Sequence, residues 1–299
     1  MQLIFSIFFS LFIFANGVII LFFDKIERNI KLKGLDLKKK LTLNDILHMK
    51  SKEKIVVITA YDALFASLIE ESADIILVGD SLNMSFAGEE DTLSATLDQM
   101  IYHTKAVCKG APDALIVTDM PFGAYNNEDE ALRNATKVYQ QTKAAAIKIE
   151  GGQERAHIVE HLTKNSIAVI GHIGLMPQFV RSEGGYKVRG KTQEDIEQLI
   201  ADAIAIEKAG AFCIVIEGVV SDAAKAITEA VTIPTIGIGA GSATDGQVLV
   251  WSDMLGFFTT FVPKFVKQYM QGADDVKTAL AQFSTEVKNG KFPEEKHTY

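Results

Sequence analysis

The sequence predicts an α/β chain whose body is a single-domain (β/α)8 TIM barrel, and three observations predict it. Five short apolar runs, DIILVGD, ALIVTD, AAIKIE, IAVIGH and FCIVIE, end in Asp80, Asp119, Glu150, His172 and Glu217. Such runs are the pattern of parallel strands buried on both faces. Between them lie stretches with apolar residues at helical spacing, and that alternation builds right-handed βαβ units. The alternation repeats about eight times, which favours closure into a barrel. An open doubly wound sheet would need a Gly-rich turn after the first strand, and TAYDALF offers none.

Taken in order, residues 42–49 (TLNDILHM) predict a short first helix with Thr42 or Asn44 as its cap. Strands are predicted at 55–60, 74–80, 114–119, 145–150, 167–172, 212–217 and 234–240, with a weaker eighth near 253–258. Helices are predicted at 62–71, 93–109, 128–143, 153–163, 192–209 and 221–230, and further amphipathic helix at 264–288. The tail FPEEKHTY is polar and expected to be loose. Two connections are long, 81–92 and 173–191. Long loops after barrel strands serve as lids or substrate walls, and Gly184 and Gly185 permit the bends of the second.

Residues 1–23 carry no charge, enough to span a bilayer as a helix, and 24–40 form a Lys-rich stretch. By the positive-inside rule the basic side, and the barrel at 41–299 after it, would stay in the cytoplasm. The leader is either a membrane tether or upstream sequence from a misassigned start. The rest is globular in composition, 48% hydrophobic and 23% charged, with net charge −8 and pI ≈ 5.3. That acidic balance argues against a nucleic-acid partner. Cys108 and Cys213 share no metal or redox spacing, which suits a reducing compartment.

A carboxylate is costly to bury, so acids at successive strand ends should face one partly wet cavity at the C-terminal end of a barrel. Asp80, Asp119 and Glu150 there would repel one another unless a cation sits among them. Oxygen-only ligands select a hard ion, most simply Mg²⁺. Such an ion can chelate an α-keto acid and stabilise its enolate. Lys148 lies two residues before Glu150 and so points the same way, inward; it would pair with a carboxylate or with the enolate. Glu217, across the cavity, is placed as a general base. His172 would donate to a substrate oxygen or shuttle a proton, or be a satisfied strand-end histidine. The H-x-x-E-H pattern at His157, Glu160 and His161 falls on the outer ring of helices and is not read as zinc. Gly237–Gly241 either holds an anionic group or lets backbone approach closely.

These residues lie in segments that resemble the ketopantoate hydroxymethyltransferase family: ITAYD (58–62), VGDSL (78–82), YHTKAV (102–107), TDMPF (118–122), KIEGG (148–152), GHIGLMPQ (171–178), GGYKVRGK (184–191), IGIGAG (236–241), TDGQ (244–247) and PKF (263–265). They run in family order over 41–299. The resemblance implies a TIM barrel that assembles as a homo-oligomer, typically a decamer. It implies transfer of a one-carbon unit from the co-substrate 5,10-methylenetetrahydrofolate to 3-methyl-2-oxobutanoate by a Mg-enolate mechanism. The product, 2-dehydropantoate, would feed pantothenate and coenzyme A biosynthesis. It further implies Mg²⁺ on Asp80, Asp119 and Glu150, the keto acid on Asp80, Ser81, Asp119 and Lys148, and Glu217 as proton acceptor. The sequence departs from the family pattern at Asn83, expected to tolerate a left-handed backbone, at Met176, and in the loosely matched WSDMLGFFTTF. The rival chemistry, a Mg²⁺-dependent carbon–carbon lyase, usually carries a K-x-x-C-G-H motif that is absent here.

Overall fold

The computed structural model describes residues 40–258 and 261–299. The apolar leader and all of the basic stretch except Lys40 lie outside the described residues. Residues Lys40–Tyr299 form one compact unit. Among the described residues no helix is long and apolar enough to cross a membrane.

Eight parallel strands close into a barrel in sequence order. They are β1 Ile55–Thr59, β2 Ile75–Val78, β3 Leu115–Asp119, β4 Ala146–Glu150, β5 Val169–Gly174, β6 Cys213–Glu217, β7 Thr235–Ile238 and β8 Gly246–Leu249. Closure comes from β1 pairing with β8, Val56 opposite Gln247 and Val57 opposite Val248. The helices are α1 Leu43–Met49, α2 Ala63–Ile69, α3 Leu82–Ser85, α4 Leu97–Gly110, α5 Glu128–Gln141, α6 Ala156–Lys164, α7 Val180–Glu183, α8 Gln193–Lys208, α9 Ser221–Ala230, α10 Trp251–Met254 and α11 Val276–Lys288.

Helix starts follow local chemistry. Thr42 and Thr96 each form a capping box, with Asp45 and Gln99 reaching back to the cap nitrogen. Asp62, Asn127, Thr192 and Asp275 cap α2, α5, α8 and α11 through side-chain oxygens. Each cap satisfies an otherwise orphaned N–H and stabilises its helix by about 1 kcal/mol.

Strand parity divides the core. One parity packs inward: Ile55, Val57, Ile75, Leu77, Leu115, Val117, Ala146, Ile170, Cys213, Val215, Ile236, Ile238 and Val248 form one buried cluster with Ile46 and Met49 of α1. The other parity, Ile58, Ile76, Ile147, Ile214 and their neighbours, packs against the helices. The lower barrel is therefore solid apolar packing, plugged by α1.

Four expectations change. The eighth strand is β8, not 253–258, which holds part of α10 and the turn after it. Only 276–288 of the C-terminal stretch is helical; Gly272 has φ +101° and Asp275 starts α11. The tail is held rather than loose: Phe292 and His297 are buried, and the Tyr299 ring meets Phe265 at 6.3 Å. Asn83 sits in α3 rather than in a left-handed turn, and its amide donates to Asp91 O and Ser94 Oγ. The glycines after β7 permit close packing: a Cβ on Gly239 would meet Phe265 at 2.8 Å, and one on Gly241 would meet Ser221 Oγ at 2.6 Å.

Candidate active site

The inward parity that is apolar low in the barrel turns polar at its C-terminal end. On β3 the series Leu115, Val117 continues to Asp119; on β4 Ala146 is followed by Lys148 and Glu150. On β5 Ile170 is followed by His172, and on β6 Cys213 and Val215 lead to Glu217. Asp80 and Ser81 lie in the turn after β2, beyond the strand end expected for Asp80, where Ser81 opens α3. His172 pairs with Glu150 in the ladder and is not the last residue of β5.

The structure gathers all of these residues. Lys148 Nζ is 3.2 Å from Asp119 Oδ1, 3.9 Å from Glu150 Oε1 and 3.2 Å from His172 Nδ1. His172 Nδ1 is 3.5 Å from Glu150 Oε1, and Nε2 is 3.3 Å from Glu217 Oε2. Asp80, Asp119, Lys148, Glu150 and His172 are buried, whereas the Glu217 side chain keeps 20% exposure at the rim. Ser81 Oγ bonds the Tyr61 hydroxyl at 2.8 Å. A Cβ on Gly79 would meet Ser81 Oγ at 2.8 Å and Asp119 Oδ2 at 3.6 Å, so a larger residue there would displace the Ser81 hydroxyl.

One oxygen of each metal-type acid is tied to a protein donor. The Gln178 amide Nε2 donates to Asp80 Oδ2 at 2.8 Å, Asp80 N donates to Asp119 Oδ2 at 3.0 Å, and Gln178 N donates to Glu150 Oε2 at 3.0 Å. Asp119 Oδ1 and Glu150 Oε1 are buried with no hydrogen bond. A buried carboxylate oxygen is costly unless something positive meets it; here Lys148 Nζ lies 3.2 Å from Asp119 Oδ1 and His172 Nδ1 lies 3.5 Å from Glu150 Oε1.

The electrostatics show the same imbalance. Asp80 is pushed well above the usual carboxylate range by burial, then by the charges of Asp119 and Glu150, which outweigh Lys148 and the Gln178 amide. Burial raises Asp119 too, against the pull of Lys148. Burial also opposes ionisation of Glu150, but the hydrogen bond and charge of His172, with Lys148, hold it below its ordinary value. His172 is pushed up to about 9: burial and Lys148 oppose its charge, and the carboxylates of Glu150 and Glu217 prevail. Lys148 is raised despite burial, by Asp119, Glu150 and Asp80.

Four acids therefore share the cavity with two basic groups. Among the described residues no three His, Cys, Asp or Glu side chains meet as a ready-made metal cage. A small hard ion that keeps several waters does not require one. The donors present are the carboxylate oxygens of Asp80, Asp119 and Glu150, whose mutual repulsion Lys148 does not offset at Asp80, and they fit Mg²⁺.

Sequence reasoning missed two residues that organise the site, Gln178 and Tyr125. Both are neutral, and a neutral polar side chain gives no charge conflict by which to find it. The two long loops meet over the strand ends: Arg181 pairs with Asp91 at 2.9 Å, and the Tyr186 hydroxyl reaches Met84 Sδ at 3.9 Å. Arg189 pairs with Asp195 at 2.6 Å. A cavity of about 340 Å³ opens beside the acids, lined by Leu93, Ser94, Phe122, Gln178, Arg181 and Ser182. Away from the site, Glu160 of the H-x-x-E-H pattern pairs with Lys164 at 2.7 Å on α6.

Comparison with solved structures recovers the barrel. A phosphoenolpyruvate phosphomutase from Streptomyces platensis subsp. rosaceus is similar with a TM-score of 0.56 and 14% identity, over 73% of this chain and 83% of that one. An oxaloacetate acetylhydrolase gives 0.54 and 15%, over 85% and 98%. These likenesses concern the fold. In sequence, the 3-methyl-2-oxobutanoate hydroxymethyltransferase of Aliarcobacter butzleri is 66% identical over 260 residues, 87% of this chain and 97% of that protein. Those of Sulfurimonas denitrificans and Helicobacter pylori are 62% and 55% identical over 261 residues each, covering 87% of this chain and 99% and 97% of theirs. A sequence model of ketopantoate hydroxymethyltransferase matches residues 40–295, and with these relatives it shows that the chain belongs to the ketopantoate hydroxymethyltransferase family.

Proposed function

We propose that this chain transfers a one-carbon unit from 5,10-methylenetetrahydrofolate to 3-methyl-2-oxobutanoate, giving 2-dehydropantoate for pantothenate and coenzyme A synthesis. The observation that carries this reading is three acids, each tied back by one oxygen, facing Lys148 and, beyond His172, Glu217. Asp80, Asp119 and Glu150 would hold one Mg²⁺ per subunit, which when bound supplies Lewis-acid polarisation of the ketone and acidifies the adjacent carbon.

The remaining steps belong to the protein's own side chains. Asp80, Ser81, Asp119 and Lys148 bind and orient the keto acid. The Lys148 ammonium, 3.2 Å from Asp119 and 3.9 Å from Glu150, would stabilise the negative charge that the ketone oxygen gains. Glu217 takes the C3 proton. It sits at the partly wet rim, so its carboxylate is not sequestered by the buried acids. His172 touches Glu217 through Nε2 and holds its orientation. The C3–H electron pair becomes the enolate, then forms the new C–C bond to the one-carbon unit as one C–N bond of the folate breaks; the second C–N bond is replaced by the C–O bond of a water-derived hydroxyl, and the two freed nitrogens take up the C3 proton and one proton of that water. The methylene carbon of the donor is bonded to nitrogen and not to oxygen, so the product hydroxyl oxygen comes from water. The donor would approach through the cavity lined by Leu93, Phe122 and Arg181, which shares Gln178 with the acids.

We further place the barrel, 41–299, in the cytoplasm as a homo-oligomer. A carbon–carbon lyase with a reactive thiol fits less well. Cys108 and Cys213 are both buried, and burial pushes both thiols up. The test is turnover of 3-methyl-2-oxobutanoate by the purified chain, with and without methylenetetrahydrofolate and Mg²⁺. Product should require all three. Full turnover in a chelator would remove the cation reading, and full turnover without folate would remove the donor.

A further inference from the structure

We propose that Gln178, locked by Tyr125, is a positioning residue that fixes which oxygens of Asp80 and Glu150 face the cation; this rests on the cation reading above. Gln178 follows β5 in the short turn that begins Pro177–Phe179, and it is 5% exposed. Its side-chain nitrogen faces two acceptors, Asp80 Oδ2 at 2.8 Å and Met120 O at 2.9 Å. Two acceptors on one side require the NH₂ there and not the carbonyl, so the amide has a single workable orientation. Tyr125 enforces it from the other side, where its hydroxyl donates to Gln178 Oε1 at 2.5 Å. The same Tyr125 oxygen accepts from Glu150 N at 3.4 Å, and Gln178 N donates to Glu150 Oε2 at 3.0 Å.

The bonds close a loop through the ends of β2, β3 and β4 and the turn after β5. Reversing the amide would point a carbonyl at Asp80, so the loop holds in one direction only. Without the Gln178 side chain the Asp80 carboxyl is free to rotate, while the bond from Gln178 N to Glu150 Oε2 is made by the backbone and depends on the side-chain lock only through the position of the turn. Groups that orient metal-binding carboxylates typically govern about 10–100-fold in metal affinity. Gln178 needs no contact with substrate to act in this way.

The test uses full-length Gln178→Met, which keeps length and apolar bulk, and Tyr125→Phe, which keeps the ring and removes only the hydroxyl. Mn²⁺ binding is followed by electron paramagnetic resonance without substrate, alongside the thermal midpoint. Apparent Mg²⁺ requirement in turnover is measured separately from kcat at saturating Mg²⁺. Gln178→Met should weaken Mn²⁺ binding by about 10–100-fold, and Tyr125→Phe should weaken it by a smaller factor in the same direction. High Mg²⁺ should restore most of kcat in Tyr125→Phe. A merely structural role would lower the number of active sites without moving the Mg²⁺ requirement. Wild-type Mn²⁺ affinity within twofold in both folded variants would overturn this inference alone. Absence of any divalent-ion binding by the wild type would overturn it together with the cation reading.

Discussion

Glu217 and Asp119 carry the two sharpest predictions at the scale of single residues. Glu217→Gln keeps the shape and the contact beside His172 but cannot accept a proton. It should lower C3 proton exchange by about 10²–10⁴-fold while keto-acid binding, followed by calorimetry, stays within a few-fold. Exchange at the wild-type rate would remove Glu217 as the base. Asp119→Ala removes the acid whose Oδ1 lies 3.2 Å from Lys148 Nζ. Activity should fall by at least about 100-fold, and the residual rate should no longer respond to added Mg²⁺; a rate that still rises with Mg²⁺ would place the ion elsewhere. The acids, Lys148 and His172 were legible in the sequence because burying charge is expensive and alternation fixed their side of the strand. Gln178 and Tyr125 were not, because their partners come from strands and turns distant in the chain.

Short elements were the hardest to read. β8 is four residues, GQVL, and its first residue is the Gly of a TDG that looks like a turn; closure alone makes it a strand. The run at 253–258, DMLGFF, was expected to be that strand, but just before it Trp251 stacks on Phe65 at 3.9 Å and its backbone N–H donates to Thr59 Oγ1, which turns the chain into α10. α10 carries a pH prediction. Burial raises Asp253 from 3.8 to about 6, so the folded state binds this proton more tightly than the unfolded state. That contribution to stability is fully present below about pH 4 and is lost as pH rises through about 6, a cost of up to about 3 kcal/mol. Asp253→Asn should therefore raise the thermal midpoint at pH 7.5 and leave it nearly unchanged at pH 4. An equal shift at both pH values would refute the assignment.

For the whole molecule, the unit Lys40–Tyr299 holds every residue of the site, and the family match covers 40–295. A chain begun at Lys40 is expected to fold and to turn over keto acid with the full chain's Mg²⁺ dependence; loss of the cooperative thermal transition would show that 1–39 is needed for folding. The sequence by itself determined the barrel class, seven of its strands and the inward set of acids. Alternation, helix capping and the penalty on buried charge are local and leave their mark residue by residue. Only the tertiary structure decided the eighth strand, the seating of the tail against Phe265 and the Gln178–Tyr125 lock. Each of these depends on a neighbour brought close by barrel closure, and spacing along the chain does not encode that proximity.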